Sequence, residues 1–221
     1  MRHIRPENSL DGCMFGRYPQ KGRHIKKMDT DPAQSPSGAT AGAPASGSGS
    51  ADERLFVLLR TRGHWRPLEL ALIALSTSGN WGLFWMALAL VLWLAGSGHG
   101  LALVLLMALF VYATLIINYG IKVMLGRERP LYSQPELKPL VGVPSSKSFP
   151  SSHAAMSFAA ASVLTFFFPP FFWLFYLVAL VMSWSRVYVG VHRPSDVLAG
   201  MIVGLAGGGV AALLLGIFAS S

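Results

Sequence analysis

Apolar residues run along this chain in long blocks that polar residues punctuate rather than interleave. The strongest blocks cover residues 80–96, 101–123, 152–168, 171–188 and 196–218. Each approaches the roughly 20 apolar residues a helix needs to cross hydrocarbon, and a chain crossing lipid must satisfy its own backbone hydrogen bonds. The pattern predicts five transmembrane helices. A sixth is the alternative, because "PLELALIALSTSGN" precedes them, shorter and polar at its end, as suits a short, tilted or partly inserted helix. Residues 96–100 and 169–170 make minimal connections, whereas 126–151 form a long loop with prolines and charges, the kind of loop that carries function.

Upstream, "ERLFVLLRTRGHW" sets Leu55, Leu58 and Leu59 near one helical face with Arg54, Arg60 and Arg62 around it, the arrangement of a helix lying in the membrane interface. Residues 1–50 have no periodic apolar face, and their Ser, Gly, Pro and Ala content predicts a disordered basic tail. The tail lacks the apolar core of a signal peptide, and Met28 within it leaves the true start of translation open. The expected organisation is therefore a tail over 1–50, an interfacial helix over 51–65 and an all-α, polytopic helix bundle of five to six spans over 66–221.

Composition agrees with the blocks: of 221 residues 52% are hydrophobic and 13% charged, with a mean hydropathy of +0.48, unlike an ordinary soluble domain. The single cysteine, Cys13, supports neither a disulfide framework nor a zinc cluster. A net charge of +8 raises nucleic acid as a partner, but the basic residues are interleaved with apolar spans, so anionic lipid or a phosphate-bearing substrate fits better. With five spans, all 18 Lys and Arg residues fall on one membrane face, which the positive-inside rule makes cytoplasmic. A sixth span would move the tail to the other side.

Three charged clusters share that face. Lys122 closes the second span and is followed by "VMLGRERP", which brings Arg129 and Pro130. Alone, such a lysine equally snorkels to headgroups. In "FPSSHAAM", Pro150, Ser151, Ser152 and His153 lead into a helix whose free N–H groups and dipole would welcome an anion, or which Ser151 simply caps. In "SRVYVGVHRPSD", Ser185 and Arg186 precede His192, and Asp196 follows it by four residues. A helix beginning at Pro194 lets that carboxylate reach back to the imidazole, leaving one ring nitrogen free to attack.

Together the clusters resemble the three-part signature of the type 2 phosphatidic acid phosphatase superfamily, over about residues 66–218. Lys122, Arg129 and Pro130 match its K-x6-R-P; Pro150, Ser151 and His153 match P-S-G-H; and Ser185, Arg186, His192 and Asp196 match S-R-x5-H-x3-D. Ser152 departs from the usual glycine, keeping the backbone N–H and adding a hydroxyl that would alter phosphate contacts. The resemblance implies a lipid phosphatase acting on a phosphate monoester or diphosphate, of the polyprenyl phosphate or the phosphatidate and phosphatidylglycerol phosphate type. It implies His192 as nucleophile, Asp196 as its orienting carboxylate and His153 as general acid. Lys122, Arg129, Arg186, Ser151 and Ser152 would bind phosphate. No cofactor or metal is implied, and the motif cores hold only Glu128 and Asp196 as carboxylates, too few for a two-metal site. The expected partners are the lipid phosphate substrate and membrane lipids, in the plasma membrane, with no nucleic acid and with homo-oligomerisation open.

A catalytically silent lipid-phosphate scaffold is the competing reading, and loss of His192, His153 or Arg186 would have favoured it. Haloperoxidase-like chemistry belongs to soluble relatives, and the spans argue against it. The glycines at 200, 204, 207, 208 and 209 read as close helix packing. The six tryptophans read as interfacial or lipid-facing, His64 and His99 as exposed residues near span ends, and Lys138 and Lys147 as solvated loop charges.

Overall fold

The computed structural model describes residues 50–220. The expected tail, Met28 included, otherwise lies outside the described residues. The helices are α1 (Ala51–Thr61), α2 (Arg66–Ser78), α3 (Leu83–Leu94), α4 (Gly100–Leu125), a single turn α5 (Pro130–Ser133), α6 (Ser152–Phe167), α7 (Phe172–Tyr188) and α8 (Pro194–Ser220).

α1 starts at a capping box: Glu53 N donates to Ser50 Oγ and Ser50 N to Glu53 Oε2, both at 3.3 Å. Its inward residue is Phe56, packed with Ala154, Val187 and Val197, while Leu59 is only partly buried. Leu55 and Leu58 stay exposed. The leucine face anticipated from the sequence is thus the outer one.

Three helical stretches are long and apolar enough to cross a membrane: Gly100–Ser133, Pro169–Tyr188 and Pro194–Ile217. α2 and α3 reach that length only as a pair bent by 64°, the geometry of a broken span or a re-entrant loop. Within the block expected at 80–96, α3 has 12 residues and reaches membrane length only together with α2. The break follows from local chemistry. Trp81 and Gly82 both take positive φ, at 56° and 75°, which ends regular helix.

α6, the remaining apolar helix, has 16 residues and is buried on nearly every side by α4, α7 and α8. Small residues permit this. A Cβ on Gly200 or Gly204 of α8 would strike the Ser151 and Ala155 carbonyl oxygens, and one on Gly207 would strike Thr114 of α4. Gly209 faces open space instead. α4 buries a single stripe, Leu103, Met107, Phe110, Val111, Thr114, Asn118 and Lys122, apolar at one end and polar at the other.

Two of the lesser readings change. Trp85 is buried and donates from Nε1 to Ser157 Oγ at 3.0 Å, so only the other tryptophans remain as outward candidates. His64 is half-buried: it stacks on Tyr188, meets Glu69 at 2.8 Å and sits 3.2 Å from Arg60. His99 packs against Phe167 and Phe168.

Candidate active site

The polar end of the α4 stripe, the N-termini of α6 and α8 and the C-terminus of α7 meet at one end of the bundle. Lys122, Arg129, Ser151, His153, Arg186, His192 and Asp196 are all buried there, which a chain tolerates only when such groups are paired or reserved for chemistry.

His192 lies between α7 and α8, its Nε2 3.4 Å from Arg129 Nη1. A guanidinium only donates, so Nε2 presents its lone pair and Nδ1 carries the proton. Nδ1 faces Asp196 Oδ2 at 3.6 Å and Ser148 Oγ at 3.5 Å. Ser148 in turn donates to Asp196 Oδ2 at 2.5 Å. The expected reach from Asp196 back to the imidazole is therefore an ion-pair distance, with a serine hydroxyl alongside. Arg193 N and Arg127 Nη1 complete the carboxylate's partners, each at 2.9 Å. Burial drives the His192 pKa below the ordinary histidine value and the charges of Arg129 and Arg186 push the same way, against Asp196. The imidazole is neutral at pH 7.

The cations are placed by backbone and loop. Arg129 Nε donates to Ser146 O at 3.0 Å and Nη1 to Val191 O at 2.9 Å, which ties the long loop to the His192 segment. Arg186 Nη1 donates to Ser76 Oγ, while its buried Nε has no protein partner. Lys122 lies within charge range of Arg129, Arg186 and Asp196. Ser151 occupies the N-cap of α6 without capping it; the hydroxyl is buried and unpaired, contrary to a plain capping role. Its N–H donates to Asp196 O at 2.9 Å, joining the α6 and α8 N-termini. Ser152 Oγ accepts from Asn118 Nδ2 at 3.0 Å, so the extra hydroxyl is engaged by α4. His153 Nε2 meets the Ser76 carbonyl at 3.1 Å and must donate to it.

Ser76, Asn118, Arg127 and Ser148 join this network without having been anticipated. Arg127 lay inside the first motif and Ser148 two residues before the second, but nothing in their spacing reports a tertiary hydrogen bond. Among the described residues, no three His, Cys, Asp or Glu side chains group to hold a metal ion.

Buried cations thus converge on an oriented imidazole at one end of a bundle of apolar helices. A family model, the PAP2 superfamily, matches residues 84–217, and the chain belongs to that superfamily. The chain is 37% identical over 101 residues to an undecaprenyl-diphosphatase of Sulfolobus acidocaldarius, covering 41% of this chain and 48% of that protein. It is 38% identical over 89 residues to a decaprenylphosphoryl-5-phosphoribose phosphatase of Mycolicibacterium smegmatis, covering 36% and 42% respectively. The chain thus spans about half the length of the curated relatives it matches. The crystal structure of Aquifex aeolicus LpxE superposes with a TM-score of 0.62 at 23% identity, over 74% of this chain and 96% of that one, and shares the fold. With its membrane-length helices, the protein is an integral membrane protein.

Proposed function

We propose that the protein is a membrane lipid phosphatase that cleaves a phosphate monoester or diphosphate through a phosphohistidine and without a metal. The observation that carries this is the tautomer of His192: its Nε2 lone pair faces the cationic cluster while Ser148 and Asp196 stand behind Nδ1. Nε2 attacks phosphorus as the bond to the lipid oxygen breaks, and His153, doubly protonated with its Nε2–H on the Ser76 carbonyl, gives that oxygen the proton on its Nδ1. Lys122, Arg129 and Arg186 balance charge on the phosphoryl oxygens, with Ser151 and Ser152 as neutral donors. Water, deprotonated by His153, then attacks the phosphohistidine, releasing phosphate and restoring Nε2.

The substrate's polar end lies at the membrane face that carries the site. The basic residues support a cytoplasmic location for that face, in the plasma membrane, with α1 lying in the interface. This favours a polyprenyl-linked biosynthetic phosphate, such as a polyprenyl phosphosugar phosphate, over recycling of an external carrier diphosphate. The similarity to a protein named for decaprenylphosphoryl-5-phosphoribose supports the same class.

Phosphate release by detergent-purified protein from a panel of lipid phosphates, with chelator present, tests the reading. It predicts release that persists in chelator and disappears in His192→Ala; a folded wild type inactive across polyprenyl and glycerolipid phosphates would overturn it.

A further inference from the structure

Asp52 lies on α1, outside the residues matched by the family model. Its Oδ2 accepts from Arg127 Nη2 at 2.7 Å, and the other terminal nitrogen of that guanidinium, Nη1, donates to Asp196 Oδ1 at 2.9 Å. One planar fork therefore spans two carboxylates, one on α1 and one directly behind His192. Ser195 closes the arrangement. Its N–H donates to Asp52 Oδ1 at 2.9 Å and its hydroxyl to Asp52 Oδ2 at 2.6 Å, while Arg127 Nη1 lies 2.6 Å from the same hydroxyl.

We propose that Asp52 is a positioning residue for the reaction: it holds Arg127 in register so that Nη1 stays on Asp196, and through Asp196 it sets the charge and orientation of His192. This rests on the phosphatase reading above and extends it to an element outside the matched region. Three features carry it. Arg127 has a rotatable side chain, one-third exposed, so its aim at the fully buried Asp196 needs a second anchor, and Asp52 is that anchor. A lysine could not replace the fork, since an ammonium does not bridge two carboxylates in a plane. Asp52 is also kept ionised: burial would raise its pKa, but the hydrogen bonds from Ser195 and Arg127 outweigh that and hold it below the usual carboxylate range. The anchor is therefore in place at neutral pH and is lost only as pH falls through that lowered pKa.

Losing the anchor has a definite electrostatic sign. Asp196 without Arg127 presents more uncompensated negative charge to His192, whose other charged neighbours are Arg129 and Arg186, with Lys122 and His153 in the same cluster. The imidazole becomes easier to protonate, and the nucleophile is lost at a higher pH.

The test compares wild type, Asp52→Asn, Arg127→Lys, the double variant, His192→Ala and Leu58→Ala, using steady-state kinetics across pH on the best lipid phosphate and thermal unfolding in detergent. Expected for Asp52→Asn is a kcat lowered about tenfold, the scale of a lost orienting contact, with KM little changed and the acid limb moved to higher pH. Arg127→Lys should do the same, and the double variant should be no worse than Arg127→Lys alone. Leu58→Ala, at an exposed position of the same helix, should leave both kinetics and limb unchanged. Wild-type kcat and an unmoved limb in Asp52→Asn, with His192→Ala inactive, would overturn the positioning role and leave the phosphatase reading standing. If Asp52→Asn fails to fold, Arg127→Lys decides, because it keeps the contacts between Asp52 and Ser195; normal kcat there overturns the proposal. Absence of His192-dependent activity in wild type would remove both.

Discussion

Ser148 shows how one hydroxyl conditions the reacting group. Its single proton goes to Asp196 at 2.5 Å, and its oxygen stands 3.5 Å from His192 Nδ1, so it can accept from the imidazole while donating to the carboxylate. Ser148→Ala should lower kcat about tenfold with little change in KM, measured by steady-state phosphate release. The pH profile follows from His192 itself. Attack needs the neutral imidazole, and burial holds its pKa below the ordinary value of 6.5. Activity governed by this group should therefore persist as pH falls past 6.5 and drop only as pH approaches the lowered pKa; a kcat/KM profile with its acid limb above 6.5 would contradict this. At this scale the sequence was informative about the motif residues because their spacings are local. It was silent on Ser76 and Asn118, whose partners lie 77 and 34 residues away.

Among the elements, the contact between α6 and α8 is the most demanding. A Cβ at Gly204 would lie 2.8 Å from Phe158 Cβ and closer still to the Ala155 carbonyl, so neither neighbour can yield by a side-chain rotation alone. Gly204→Val should destabilise the protein by about 3 kcal/mol, in the range of overpacking a tight core. Gly209→Ala, where a Cβ meets nothing within 4 Å, should leave the unfolding temperature in detergent close to wild type. The packing role of the glycines was legible because small residues recurred at helical spacing. The bend between α2 and α3 was not: hydropathy averages over a window, whereas the bend turns on the conformation of two residues, Trp81 and Gly82. The inward role of Phe56 was hidden for a related reason, since a short helix with leucines on one side and a phenylalanine on the other does not announce which side meets protein.

For the whole molecule, the bonds from α1 to the site have a topological corollary. Asp52 reaches Arg127 and Ser195, and Arg60 Nη2 donates to Lys138 O at 2.7 Å, so α1 stands at the same end of the bundle as the long loop. If both meet the same membrane face, an even number of crossings separates them, which α4 supplies together with α2 and α3 taken as one broken span. In a Cys13→Ser background, cysteines at Arg62 and Gly142 should react with an impermeant reagent from one side of the membrane and one at Pro170 from the other; labelling of Arg62→Cys and Gly142→Cys from opposite sides would refute the arrangement. The break between α2 and α3 carries one more implication. The last turn of α2 has carbonyls that no longer find a helical partner, and Ser76 offers its carbonyl to His153 and its hydroxyl to Arg186. Groups assigned to the chemistry thus also fasten the fold. Enzymes commonly grow more stable when their active-site residues are neutralised; here His153→Ala or Arg186→Ala should give a protein that is both inactive and easier to melt. A lineage carrying this architecture has little freedom to drift into an inert but sturdy descendant, because decay of the chemistry would loosen the scaffold with it.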